Sequence, residues 1–193
     1  MLRGLDDNAL MLRYRDDGDM AAFEILYGRH KGPLYRYLLR HCGNTDVAED
    51  VFQEAWSKVI HGRERYRPAG KFGAYLFRVA RNCWIDRLRK EDRRPVLVEA
   101  QAEERVPDPD GPTPDQRAEA DEAAARLRVA LDALSPEQRE AFLLHQESGL
   151  TLGEIAQVVG VGRETVKSRL RYAVGHLRKI LAMDTDELTG TAS

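Results

Sequence analysis

The chain has 193 residues, a formal net charge of −2, and 42% hydrophobic, 32% charged and 7% aromatic residues. That composition favours helices over a β-sandwich, and the length fits one domain or two small ones. No apolar run reaches the roughly 20 residues of a membrane span, the start MLRGLDDNALMLRYRDDGD lacks the apolar stretch of a signal peptide, and two cysteines, Cys42 and Cys83, can neither staple a fold nor alone bind zinc.

A soluble cytoplasmic protein without membrane insertion is the expectation. Its small net charge hides segregation: residues 61–94 sum to +7, residues 95–123 to −7 and residues 163–180 to +5. Two basic blocks separated by an acidic one suggest two sites for a polyanion.

The first unit spans residues 8–94 and reads as helical. Asn44-Thr45-Asp46 can cap a helix running to about Ile60, with Ala48, Val51, Phe52, Ala55 and Val59 on its apolar side. The other side carries Asp46, Glu49, Asp50, Gln53 and Glu54 at i, i+3, i+4, i+7 and i+8. Without alternating bases, such a stripe gains nothing from side-chain pairs. It is either a solvated face or a docking surface for a basic helix of a partner.

The loop from His61 to Lys71 holds Arg63, Arg65, Tyr66, Arg67 and Lys71, a set able to hold an extruded base. The next helix, 71–90, puts Leu76, Val79, Ala80 and Cys83 on a core stripe. Tyr75, Arg78, Asn82, Asp86 and Arg89 share one further face, and Phe77, Arg81, Trp84 and Leu88 form another. Aromatics interleaved with arginines suit single-stranded nucleic acid, where bases stack and phosphates pair with cations.

Residues 95–121, with Pro95, Pro107, Pro109, Pro112 and Pro114 among many acids, read as an extended or disordered linker. The second unit spans residues 122–183. Ser135-Pro136-Glu137-Gln138 and Thr151-Leu152-Gly153-Glu154 are capping-box helix starts, with stops near Gly149 and Gly160. The short turn Val161-Gly162-Arg163 leads into a helix with Val166, Leu170, Ala173, Val174 and Leu177 inside.

This is the pattern of a helix-turn-helix, whose second helix enters the major groove of DNA. Its outer face offers Glu164, Lys167, Ser168 and Arg171, with Arg163 and Thr165 at the start. Residues 184–193 form a small polar tail. The fold class expected is therefore all-α: two small helical domains joined by an acidic Pro-rich linker.

The segments AEDVFQEAWSKVI, YLFRVARNCWIDRLRK, LSPEQREAFLL and LTLGEIAQVVGVGRETVKSRLRYA, in this order, resemble a bacterial RNA polymerase sigma factor of the sigma-70 family, extracytoplasmic-function type. The resemblance implies that Asp46, Glu49, Asp50, Gln53 and Glu54 bind the β′ clamp helices of core RNA polymerase, with further contacts to the β subunit. It implies that Arg63, Arg65, Tyr66, Arg67, Lys71, Tyr75, Arg78, Asn82, Trp84 and Arg87 recognise and open the promoter −10 element. Arg163, Glu164, Thr165, Lys167, Ser168 and Arg171 would contact the −35 element.

An anti-sigma factor is a further partner the resemblance implies, and the acidic linker would mimic nascent RNA in the polymerase channel. Many relatives have Trp where Tyr75 stands, Pro at 162 and Gly at 164, so base preference at −35 does not carry over. The alternative is a stand-alone helix-turn-helix regulator with a helical sensor domain, binding its operator as a symmetric dimer.

No catalytic residue, metal or cofactor is expected. The five histidines, His30, His41, His61, His145 and His176, are dispersed, and no phosphate-binding G-x-x-x-x-G-K-[ST] loop occurs.

Overall fold

The computed structural model describes the backbone of residues 2–91 and 114–189 and the side chains of residues 2–90 and 122–180. All regular structure among the described residues is helical. The first half holds α1 (Asp7–Asp17), α2 (Met20–Cys42), α3 (Thr45–His61) and α4 (Phe72–Glu91).

Short polar side chains start the first three helices. Asp6 accepts from the Ala9 amide, Asp19 from Ala22 and Asn44 from Val47, each satisfying a donor that the first turn leaves unpaired. Pro33 lies inside α2 without ending it. Its missing amide hydrogen removes one helical bond, while Ala22, Leu26, Leu34, Tyr37 and Leu38 bury the helix on both sides of it.

The second half holds α5 (Pro114–Asp132), α6 (Pro136–Ser148), α7 (Leu152–Val159) and α8 (Arg163–Thr189). The Thr151–Glu154 capping box closes in both directions, while at Ser135 the hydroxyl accepts from the Gln138 amide. Gly149 and Gly160 end α6 and α7 in the left-handed region, at φ 63° and 75°, where a side chain would be strained. The second of these turns the chain from α7 into α8 and so makes the helix-turn-helix corner.

Three expectations change. The linker is shorter at its C-terminal end, because α5 begins at Pro114 and carries an expected domain boundary at 122 inside it. Proline suits a first helical turn, where its missing N–H costs nothing. The rest of the linker, with its acidic run, lies outside the described residues. At the far end α8 continues to Thr189, into the expected polar tail.

The third change is larger. The two domains expected on either side of a linker are packed together: α6 packs on α2 and α4, and α7 packs on α4. One buried cluster runs through both halves, from Leu10, Leu38, Leu76 and Phe77 to Leu143, Leu144, Ile155 and Val166. Truncating one such leucine to alanine costs about 2–5 kcal/mol.

Candidate nucleic-acid interface

The stripe on α3 emerges as its sequence spacing predicts. Ala48, Val51, Ala55, Trp56 and Val59 are buried, whereas Asp46, Glu49, Asp50, Gln53 and Glu54 are all exposed. Asp50 is ion-paired to Arg87 of α4 at 2.9 Å, and Glu54 to Lys58 one turn on at 2.8 Å. The Glu54 contact raises the Lys58 pKa, outweighing partial burial, which lowers it. The other stripe residues present carboxylate and amide oxygens to solvent.

The loop before α4 is built around Tyr66, which is 3% exposed. Its hydroxyl donates to Asn8 Oδ1 at 2.7 Å, and Asn8 Nδ2 donates to the Gly70 carbonyl at 2.8 Å, so one asparagine ties the middle and the far end of the loop to α1. Arg15 Nη1 donates to the Tyr66 carbonyl at 2.9 Å. Burial pushes the Tyr66 phenol up to about 12.

Tyr66 is thus a wall and anchor, not a free ring able to sandwich a base. Tyr75 crosses it edge-on at 5.1 Å and is half-buried. Arg63 sits over the Tyr14 ring at 5.2 Å, and Arg67 donates to the carbonyls of Glu64 and Tyr66. Arg65, Arg67, Lys71, Arg78 and Asn82 are exposed. Tyr66, Arg67, Lys71, Tyr75 and Arg78 line a small cleft whose far wall is Gln157 and Val158 of α7.

The second aromatic stripe of α4 goes elsewhere. Phe77 is fully buried, Arg81 pairs with Glu140 of α6, and the half-buried Trp84 lies 6.1 Å from the His41 ring of α2. Trp84 therefore does not join Tyr75, Arg78 and Asn82. The cause is the helical turn: at 100° per residue Trp84 lies roughly 160° from Asn82 around the axis. Arg87 is partly covered and held by Asp50.

On α8 the buried side is Val166, Ala173 and Leu177, and Arg163, Glu164, Thr165, Lys167, Ser168 and Arg171 are all exposed. Lys167 reaches Glu164 at 3.5 Å, and the Arg171 guanidinium lies over Tyr172 at 5.1 Å. Tyr172, 59% exposed, was not singled out from sequence. An aromatic on the outer side of α8, next to an arginine, is the signal that marks it.

The chain is similar to known proteins over most of its length. Residues 26–94 match the family profile of Sigma-70 region 2, and residues 130–179 that of Sigma-70, region 4. The chain is 35% identical over 179 residues to the ECF RNA polymerase sigma factor SigE of Mycolicibacterium smegmatis, covering 92% of this chain and 68% of that one. It is 33% identical over 174 residues to RNA polymerase sigma factor CarQ of Myxococcus xanthus, covering 89% and 95%.

Among solved structures, sigma factor RpoE of Bartonella quintana, in complex with the anti-sigma factor NepR, matches with TM-score 0.61 at 27% identity over 78% of this chain and 91% of that one. CnrH, in complex with the cytosolic domain of CnrY, shares the fold with TM-score 0.68 at 24% identity, covering 92% and 98%. The chain belongs to the sigma-70 family of RNA polymerase sigma factors, in its extracytoplasmic-function group. It is a non-enzymatic, promoter-recognising initiation factor. A region 2 domain has no place in a stand-alone regulator, which sets that alternative aside.

Proposed function

We propose that the acidic stripe of α3 docks on the β′ clamp helices of core polymerase, and that the β subunit supplies a second contact. The carrying observation is that Asp46, Glu49, Asp50, Gln53 and Glu54 are exposed together on one face of a helix whose opposite face is core. A stripe of carboxylates complements a basic helix and speeds the encounter with it.

Arg65, Arg67, Lys71, Tyr75, Arg78 and Asn82 then form the surface that takes the separated −10 strand. Unstacking a base costs a few kcal/mol, which ring stacking and phosphate contacts offset. Arg163, Glu164, Thr165, Lys167, Ser168 and Arg171 read the −35 duplex from the major groove. Arg63 and Arg87, held by Tyr14 and Asp50, support these surfaces, as does Tyr66 from the core.

The chain works in the cytoplasm, where its polymerase is. An anti-sigma factor is its natural antagonist, a reading supported by the complex in which the related RpoE was solved. Anisotropy of the fluorescently labelled chain, titrated with purified bacterial core polymerase, tests the docking. Saturable binding that unlabelled chain displaces is expected. Lack of binding at micromolar core contradicts it.

A further inference from the structure

Three glutamates of region 4, spaced seven residues apart, reach across to region 2. Glu140 takes Arg81 through Nε at 2.6 Å and Nη2 at 3.3 Å. Glu147 is held by Arg36 at 2.8 Å and also by Arg40. Glu154 meets Lys71 at 3.2 Å. These carboxylate side chains are only 10%, 6% and 18% exposed, so each is drawn out of solvent into a cationic surface.

Arg36, Arg40 and Arg81 have no role in the assignments above. They continue from Lys71, at the rim of the cleft, along α4 and α2. Four cations converging on three nearly buried carboxylates make an anion-binding track that is already filled from within the chain. Arginine's planar fork suits carboxylate and phosphate alike.

The same contact closes the cleft. With Gln157 and Val158 as its far wall, the space beside Tyr75 and Arg78 is about 30 Å³, enough for a water or two and not for a nucleobase. The α3 stripe and the outer face of α8 stay exposed in this closed form. Closure also fails the promoter's dimensions. A compact chain of this length has a radius of gyration of about 16 Å and a diameter of roughly 40 Å. The −10 and −35 elements lie roughly 85 Å apart along B-DNA.

The interface carries its own weakness. Tyr37 Oη, near Glu140 and Arg81, and His41 Nδ1, near Arg139 and Arg81, are buried with no hydrogen-bond partner among the described residues. Each recovers a partner when the halves separate and water enters.

We propose that Arg36, Arg40, Arg81 and Lys71 form a backbone-phosphate track for single-stranded DNA, and that Glu140, Glu147 and Glu154 mask it by standing in for phosphates until the halves part. The inference rests on the sigma-factor reading for the source of the strand. Its test needs no polymerase, so the two can fail separately.

The experiment compares the full chain with an E140Q/E147Q/E154Q variant, by small-angle scattering and by anisotropy with a fluorescein-labelled random single-stranded DNA of about 20 nucleotides, circular dichroism confirming helix content. The triple variant should expand from about 16 Å by roughly half, as two units on a tether do. It should also bind DNA roughly tenfold tighter than the unsubstituted chain. Adding R36A, R40A and R81A should undo that gain and lower the slope of log affinity against log salt by about 2.

If the triple variant does not fold, E147Q and E154Q singly should each tighten DNA binding about twofold to threefold. A folded triple variant that stays compact with unchanged DNA affinity overturns the mask. An expanded variant whose affinity and salt slope ignore the three arginine substitutions overturns the track. Two folded single variants with unchanged affinity overturn the mask as well.

Discussion

Arg87 of α4 donates from Nη1 to Asp50 Oδ2 of α3 at 2.9 Å, so the stripe assigned to polymerase and the helix assigned to the promoter share an ion pair. Asp50 remains 65% exposed on its side chain. A partner cation can therefore reach it without breaking the fold. Reversing Asp50 and Glu54 to lysine forfeits two surface pairs, each worth up to about 1 kcal/mol. Melting temperature should fall by only a few degrees, while the Kd for core polymerase rises at least about tenfold. Unchanged affinity for core would remove the docking assignment.

Asn82 is exposed on α4 and belongs to the same face as Arg78. Asn82→Ala should slow initiation on duplex promoters and spare initiation on promoters already opened across the −10 element. Permanganate footprinting of the opened strand would report the same defect. Equal loss on both templates would mean that Asn82 acts before opening.

Arg171 lies over the exposed Tyr172 ring, which limits the orientations its guanidinium can take. If it makes a bidentate contact to a base, Arg171→Ala should weaken −35 duplex binding by about 1–3 kcal/mol and relax preference at one position. Tyr172→Leu, which removes the platform, should cost less and in the same direction. A loss uniform across −35 sequences would show Arg171 touching phosphate alone.

Acid should loosen the contact between the halves. Burial, then the nearby Arg139 and Arg81, push His41 down to about 4. The unfolded chain therefore binds a proton on His41 at higher pH than the folded one. The stability this provides is complete above the ordinary histidine range and is lost as pH falls from about 6.5 to 4, by up to about 3 kcal/mol.

Glu154 adds to this at lower pH. Burial raises its pKa, but the Thr151 amide and hydroxyl and Lys71 outweigh burial and hold it lowered. Its contribution is present above the ordinary glutamate range and is lost as pH falls through the lowered value. Denaturant midpoints between pH 7 and 4 should decline in the unsubstituted chain and decline less in His41→Phe. Parallel curves would show that His41 does not titrate across folding.

Much of this was legible from local grammar. The caps at Asn44, Ser135 and Thr151, the stops at Gly149 and Gly160 and the apolar side of α3 are consequences of neighbouring residues, and they stand where spacing puts them. The exposed faces of α3 and α8 follow from the same periodicity.

What did not follow was the contact between the halves. Val158 of α7 is 4% exposed, and it lines the cleft with Tyr75 and Arg78 of the first half of the chain. Trp84 read as a nucleic-acid ligand, because a sequence shows an arginine-aromatic stripe without showing that α2 flanks it. Tyr66 read as a loop aromatic, and its burial depends on Asn8, 58 residues away. The seven-residue spacing of Glu140, Glu147 and Glu154 was visible, but only the partners' positions give it meaning.

The central claim is that this chain tells core polymerase where to start. The most direct measurement is sequencing the 5′ ends of transcripts made by purified core from a genomic fragment library, with and without the chain. With it, starts should gather downstream of two shared motifs at fixed spacing, and D50K/E54K should abolish them. Starts that are unchanged by the chain, or that persist in full with the charge-reversed variant, would contradict the assignment.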